Sequence, residues 1–321
     1  MSAPTLFATE AISVSVAWTN LLQLGCLGLL AWYGWGTVLR RRAAGLEILP
    51  ETPHRLVPWD GGLTLASALL YFGLAQIGGV ILTQIVFELN DPSAAPLNAE
   101  VQTKTNPQWM IALFQANSLL SYISVAVVAA LLVAAARARA DDFGLALADW
   151  RRYLKIGVAG FAVLLPPVML LQVVLNAVWM DSQHPIIVAY RASRDPRLLL
   201  WCTVAAVFVA PFVEEFFFRG ILQGWLERLI AKGREAQMSE LAASDETAIE
   251  VRTPDRSPAP ILFTATLFAL MHLGSGPDVI PLFFLALGLG YLYRQTHSIW
   301  PGFIVHTLLN AWSMVALVLM P

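Results

Sequence analysis

Residues 109–135 read WMIALFQANSLLSYISVAVVAALLVAA, twenty-seven consecutive residues without a charge. About 20 helical residues, rising 1.5 Å each, cross a hydrocarbon core about 30 Å thick. In lipid such a run must also close its own backbone hydrogen bonds, which makes it a helix. Seven further apolar runs flank it, at 11–39, 63–89, 154–178, 198–230, 260–273, 279–293 and 300–320. The expected fold class is an all-α polytopic membrane protein of about eight transmembrane helices.

Composition agrees. Over 321 residues, 57% are hydrophobic and 13% charged, too little polar surface to coat a soluble globule. The first run is too long for the apolar stretch of a signal peptide and has no basic residue before it, while Arg40, Arg41 and Arg42 follow directly, so it should stay as an anchor. If the turn after it is cytoplasmic, fifteen of the 20 Lys and Arg residues fall on the cytoplasmic side and four outside, with Arg219 inside a span. The positive-inside rule then places both termini outside. The net charge of −2 gives no footprint for nucleic acid, and none is expected as a partner. Cys26 and Cys202 lie in apolar runs without metal or redox spacing and read as small buried core residues.

The only sizeable polar interruption, 231–258, lacks hydrophobic periodicity and reads as a mobile cytoplasmic loop. The expected division is into N-terminal transmembrane helices, 1–197, and a second transmembrane core, 198–321. Ionisable side chains are costly in a bilayer and usually face a protein interior or a wet cavity. Here they gather in the second division. Glu215 and Arg219, at i and i+4, share a helical face and read as a structural pair. Adjacent Glu214 points about 100° away and stays available. The sixth span carries His272, and the eighth carries His306 and Asn310 on one face. A carboxylate that takes a proton from water, histidines that relay it and an amide that donates to an oxyanion are the parts needed to hydrolyse an acyl bond. His54, His184 and His297 fall in loops, read as solvated, and are assigned nothing.

Depth distinguishes the two histidines. His306 lies roughly 10 Å in from the cytoplasmic loops and His272 nearly twice as far. A short, partly inserted sixth helix, followed by Gly274, Gly276 and Pro277, would reconcile them.

Three ordered motifs, Glu214-Glu215-x-x-x-Arg219, Phe268-x-x-x-His272 and His306-x-x-x-Asn310, resemble those of the CAAX-protease and bacteriocin-processing (CPBP) intramembrane endopeptidases. The segment from Gly288 through Pro301 is similar as well, and the likeness covers about 198–312. It implies a peptidase in which Glu214 activates water with help from His272, His306 and Asn310 stabilise the oxyanion, and Glu215 and Arg219 hold the helix geometry. The resemblance leaves both a metal-independent glutamate protease and a metalloprotease open. One Glu and two His could bind a divalent metal such as zinc, yet the H-E-x-x-H helix of common zinc proteases is absent, and the reading leans against a required metal. The implied partners are a membrane-associated peptide or protein substrate and the lipid bilayer, and the expected location is a bacterial inner membrane. A transporter or an inactive scaffold using the same polar cluster is the competing class.

Overall fold

The computed structural model describes residues 3–90, 107–180, 182, 184–193, 195–244 and 257–319. They form helices α1 (Ala3–Ala43), α2 (Gly61–Asn90), α3 (Pro107–Ala136), α4 (Trp150–Val178), the short α5 (Pro185–Ser193), a long α6 through residues 196–244, α7 (Ala259–Leu270), α8 (Val279–Thr296) and α9 (Trp300–Leu319). There is no strand among the described residues. Among the described residues seven helical stretches are long and apolar enough to cross a membrane, and the chain is a polytopic integral membrane protein. The sixth expected span, α7, has 12 residues. It rises only about 18 Å and cannot cross the hydrocarbon core. A 3₁₀ turn, Leu273–Asp278, follows it and returns the chain into α8.

The expected loop 231–258 needs correction. Helix α6 continues through Ser244, and residues 245–256 lie outside the described part. The physical reason is propensity. The segment is rich in Ala, Glu, Lys, Arg, Gln and Leu, strong helix formers, and a helix already nucleated in the membrane extends at little cost. A polar helix has no apolar stripe, so periodicity could not reveal it.

Helix α2 packs on α3, α1 and α9 on α4, and α7 on α8. Close approach of α9 to α4 depends on Gly157, where a Cβ would run into Ile304. Cys202 is buried as expected, but Cys26 is exposed on α1, facing outward from the bundle.

Helices α6 and α8 are joined by a polar ladder. Arg219 Nη2 donates to the Ala286 carbonyl at 3.3 Å, Gln223 Nε2 to the Gly290 carbonyl at 2.9 Å, and Arg294 Nε to Glu227 Oε1 at 3.4 Å. The rungs advance by four residues on both helices, so α6 and α8 run in the same direction. Helix α9 is aimed by its first residues. The Gly144 carbonyl accepts from the Ile299 N–H at 3.1 Å, and Trp300 Nε1 donates to the Leu145 carbonyl at 3.2 Å.

Candidate active site

The backbone of α6 is not a uniform α-helix. Two π segments, Ala205–Val209 and Glu215–Gln223, bracket the α-helical turn Ala210–Glu214. The first has a cause in the sequence. Pro211 lacks an N–H, and in an α-helix its ring would clash with the carbonyl four residues back, a conflict that a wider turn relieves. The Ala210 N–H then bonds five residues back, to the Ala205 carbonyl. The Ala206 carbonyl thereby loses its α-helical donor, Ala210, and its π-helical donor would be Pro211. Asn310 of α9 fills the gap, its Nδ2 donating to the Ala206 carbonyl at 2.7 Å. A buried carbonyl left unpaired would cost about 1–3 kcal/mol, so this bond fixes α9 against α6.

Glu215 and Arg219 form the expected pair, Oε1 to Nη1 at 3.1 Å, with side chains 0% and 1% exposed. The guanidinium sits over the Phe268 ring, 5.0 Å from its centroid. Glu215 fits against α9 because residue 302 is glycine; a Cβ there would overlap Glu215 Oε2. His306 stands between the two carboxylates. Its Nδ1 lies 3.4 Å from Glu215 Oε1 and its Nε2 lies 3.6 Å from Glu214 Oε2. These separations are long for hydrogen bonds, and such contacts often tighten when substrate binds.

Glu214 has an outlet that Glu215 lacks. Its side chain is 24% exposed and lines a cavity of about 230 Å³ together with His272, Tyr71, Phe72, Phe217, Phe218 and Met271. His272, just past the end of α7, is held by its Nδ1, which contacts the Phe268 carbonyl at 2.8 Å. Thus Glu214 and His272 share one chamber, His306 touches both carboxylates, and Asn310 is engaged with the α6 backbone one turn along the same helix.

Tyr71 and Phe72 were not signalled by the sequence. They are aromatic residues in an otherwise unmarked apolar span, and only the packing of their rings on Phe217, at 5.4 and 5.8 Å, brings them to the site. The donors for a catalytic metal are not gathered as placed. Among the described residues, Glu214, His272 and His306 do not bring three ligand atoms within 4.8 Å of one another, short of the three protein ligands that catalytic zinc takes.

Residues 196–312 match the family described as Rce1-like type II CAAX prenyl endopeptidase. The matched segment starts with α6 and ends within α9, and it contains all six site residues. No curated protein and no solved structure matches the chain.

Proposed function

We propose that the chain is an intramembrane protease of CAAX type that hydrolyses a peptide bond in a membrane-associated peptide or protein with Glu214 as general base; the match of residues 196–312 to the Rce1-like type II CAAX prenyl endopeptidase family supports this reading. The observation that carries this reading is the division between adjacent carboxylates. Glu215 is fully buried against Arg219, whereas Glu214 opens into the cavity that His272 also lines.

In the proposed reaction a water molecule lies between Glu214 and His272. Its oxygen bonds to the scissile carbonyl carbon while Glu214 takes the proton, and the carbonyl electron pair moves onto oxygen. His306 and the N–H of Asn310 that is not used on Ala206 donate to that oxyanion. Collapse of the intermediate breaks the C–N bond, and Glu214 passes its proton to the leaving amine. Glu215, held by Arg219, orients His306 from its other nitrogen, as a carboxylate orients histidine in hydrolytic triads. The apolar and aromatic walls from Tyr71, Phe72, Phe217 and Phe218 exclude bulk water and suit an apolar substrate segment.

Cleavage of membrane-anchored peptides by the purified protein tests this. Glu214→Gln keeps the side-chain volume but takes up no proton, so it should fold, bind substrate and lose about 10²–10⁴-fold in turnover. Turnover at the wild-type level in that variant would refute the mechanism.

A further inference from the structure

Three residues left out of the catalytic reading come together at one water-facing end of the bundle. Glu51 and His54 belong to the connection between α1 and α2, and His297 to the turn between α8 and α9, all outside the candidate membrane spans. Each offers one ligand atom within 4.8 Å of the others. We propose that Glu51, His54 and His297 form a binding site for a divalent transition ion of the zinc class, which clips the segment preceding α2 to the turn that starts α9.

The geometry has the features of a ligand set. His297 Nε2 lies 3.5 Å from Glu51 Oε1, near the roughly 3.4 Å edge of a tetrahedron with metal–ligand bonds of about 2.0–2.1 Å. That Nε2 is buried with no hydrogen-bond partner, in a side chain only 8% exposed, and it points at the carboxylate. A buried, unsatisfied nitrogen is costly unless something fills its lone pair. The His54 and His297 rings stack face to face, which places a second imidazole nitrogen within 4.8 Å of His297 and Glu51.

The surroundings support the same assignment. Metal-bound histidines characteristically present their second nitrogen to a carboxylate or a carbonyl. His297 Nδ1 faces Glu227 Oε2 at 3.9 Å, and Glu227 is held by Gln223 at 2.9 Å and by Arg294. His54 hydrogen-bonds the Thr52 backbone. The segment is already docked, because the Thr52 N–H donates to the Gln295 carbonyl at 2.8 Å and Arg152 Nη2 donates to Thr52 Oγ1 at 3.1 Å. Two imidazoles and one carboxylate, with Glu51 and His54 open to water, match a three-ligand zinc site with a free position.

The site lies at the foot of the α6–α8 ladder and nine residues before His306, so an ion bound there would stiffen the start of the helix that carries His306 and Asn310. It would also make a chelator slow the enzyme without any metal at the catalytic carboxylate.

The test uses the full-length protein in detergent, stripped with chelator, dialysed against zinc chloride and assayed for retained zinc and for thermal unfolding. Wild type and Glu214→Gln should each retain one zinc per chain and unfold at higher temperature with zinc than without. Glu51→Ala and His54→Ala, exposed changes that leave the bundle packing intact, should each weaken zinc retention at least tenfold and abolish the thermal shift. Absence of retained zinc in wild type, or equal retention in His54→Ala, overturns the proposal. Zinc retained by wild type but lost in Glu214→Gln would move the ion to the catalytic cavity and likewise overturn it.

Discussion

Only 6% of the most apolar stretch of α1, and the same share of α2, is buried within the protein, against 39% for Pro196–Gln237 and 44% for Leu273–Thr296. The two sets are similarly apolar, yet they meet different surroundings. Helices α1 and α2 present Leu, Ile and Trp outward, as Leu69 at 66% and Trp32 at 83% exposed illustrate. Helices α6, α8 and α9 present them to one another, and Leu285, Leu289 and Val305 are 0% exposed. In a bilayer the first arrangement costs nothing, because lipid is as apolar as leucine. The second is what allows charge. Glu215, Arg219 and His306 persist within the membrane because protein covers them and supplies partners. The polar cluster of the candidate site is thus confined to the half of the chain that buries itself.

The most severe challenge to that contrast is removal of one member of the covered ion pair. Arg219→Ala leaves the Glu215 charge uncompensated and should destabilise the protein by about 3–5 kcal/mol, with Glu215→Ala/Arg219→Ala milder. Thermal unfolding of both in detergent decides it, and equal losses would mean the pair is not what stabilises the buried charge. A second test sets the two regions side by side. Leu289→Ala opens a cavity between helices and should cost about 2–5 kcal/mol, whereas Leu69→Ala, on an outward face, should cost about 0.5 kcal/mol or less. Similar losses at the two positions would erase the distinction. A third test separates structure from chemistry within one residue. Asn310→Ala orphans the Ala206 carbonyl and should lower stability by about 1–3 kcal/mol, in addition to any loss of rate. If its unfolding temperature equals that of wild type, the bond to α6 contributes nothing to stability.

The polytopic helical class was legible because lipid imposes it. A run such as 109–135 has no other way to satisfy its backbone, and neither propensity nor tertiary context can override that. The pairing of Glu215 with Arg219 was legible for a related reason, since i, i+4 spacing brings two side chains together whatever packs around them. The wider turns of α6 do not break that pair. The extension of α6 to Ser244 was not legible, because a solvated helix carries propensity but no apolar period.

Sequence alone thus determined what local geometry and the bilayer dictate: the spans, the shortness of α7, the six polar residues and the ion pair among them. Tertiary structure decided everything that depends on neighbours distant in the chain. The bonding of Asn310 to Ala206 arises only where the first π segment and Pro211 leave a carbonyl exposed to α9. Tyr71 and Phe72 reach the cavity only through the docking of α2. His54 and His297, read along the chain as two unrelated loop residues, are separated by 243 positions and meet face to face. No periodicity encodes such a meeting, because it is set by how whole helices pack and not by the spacing of residues within any one of them.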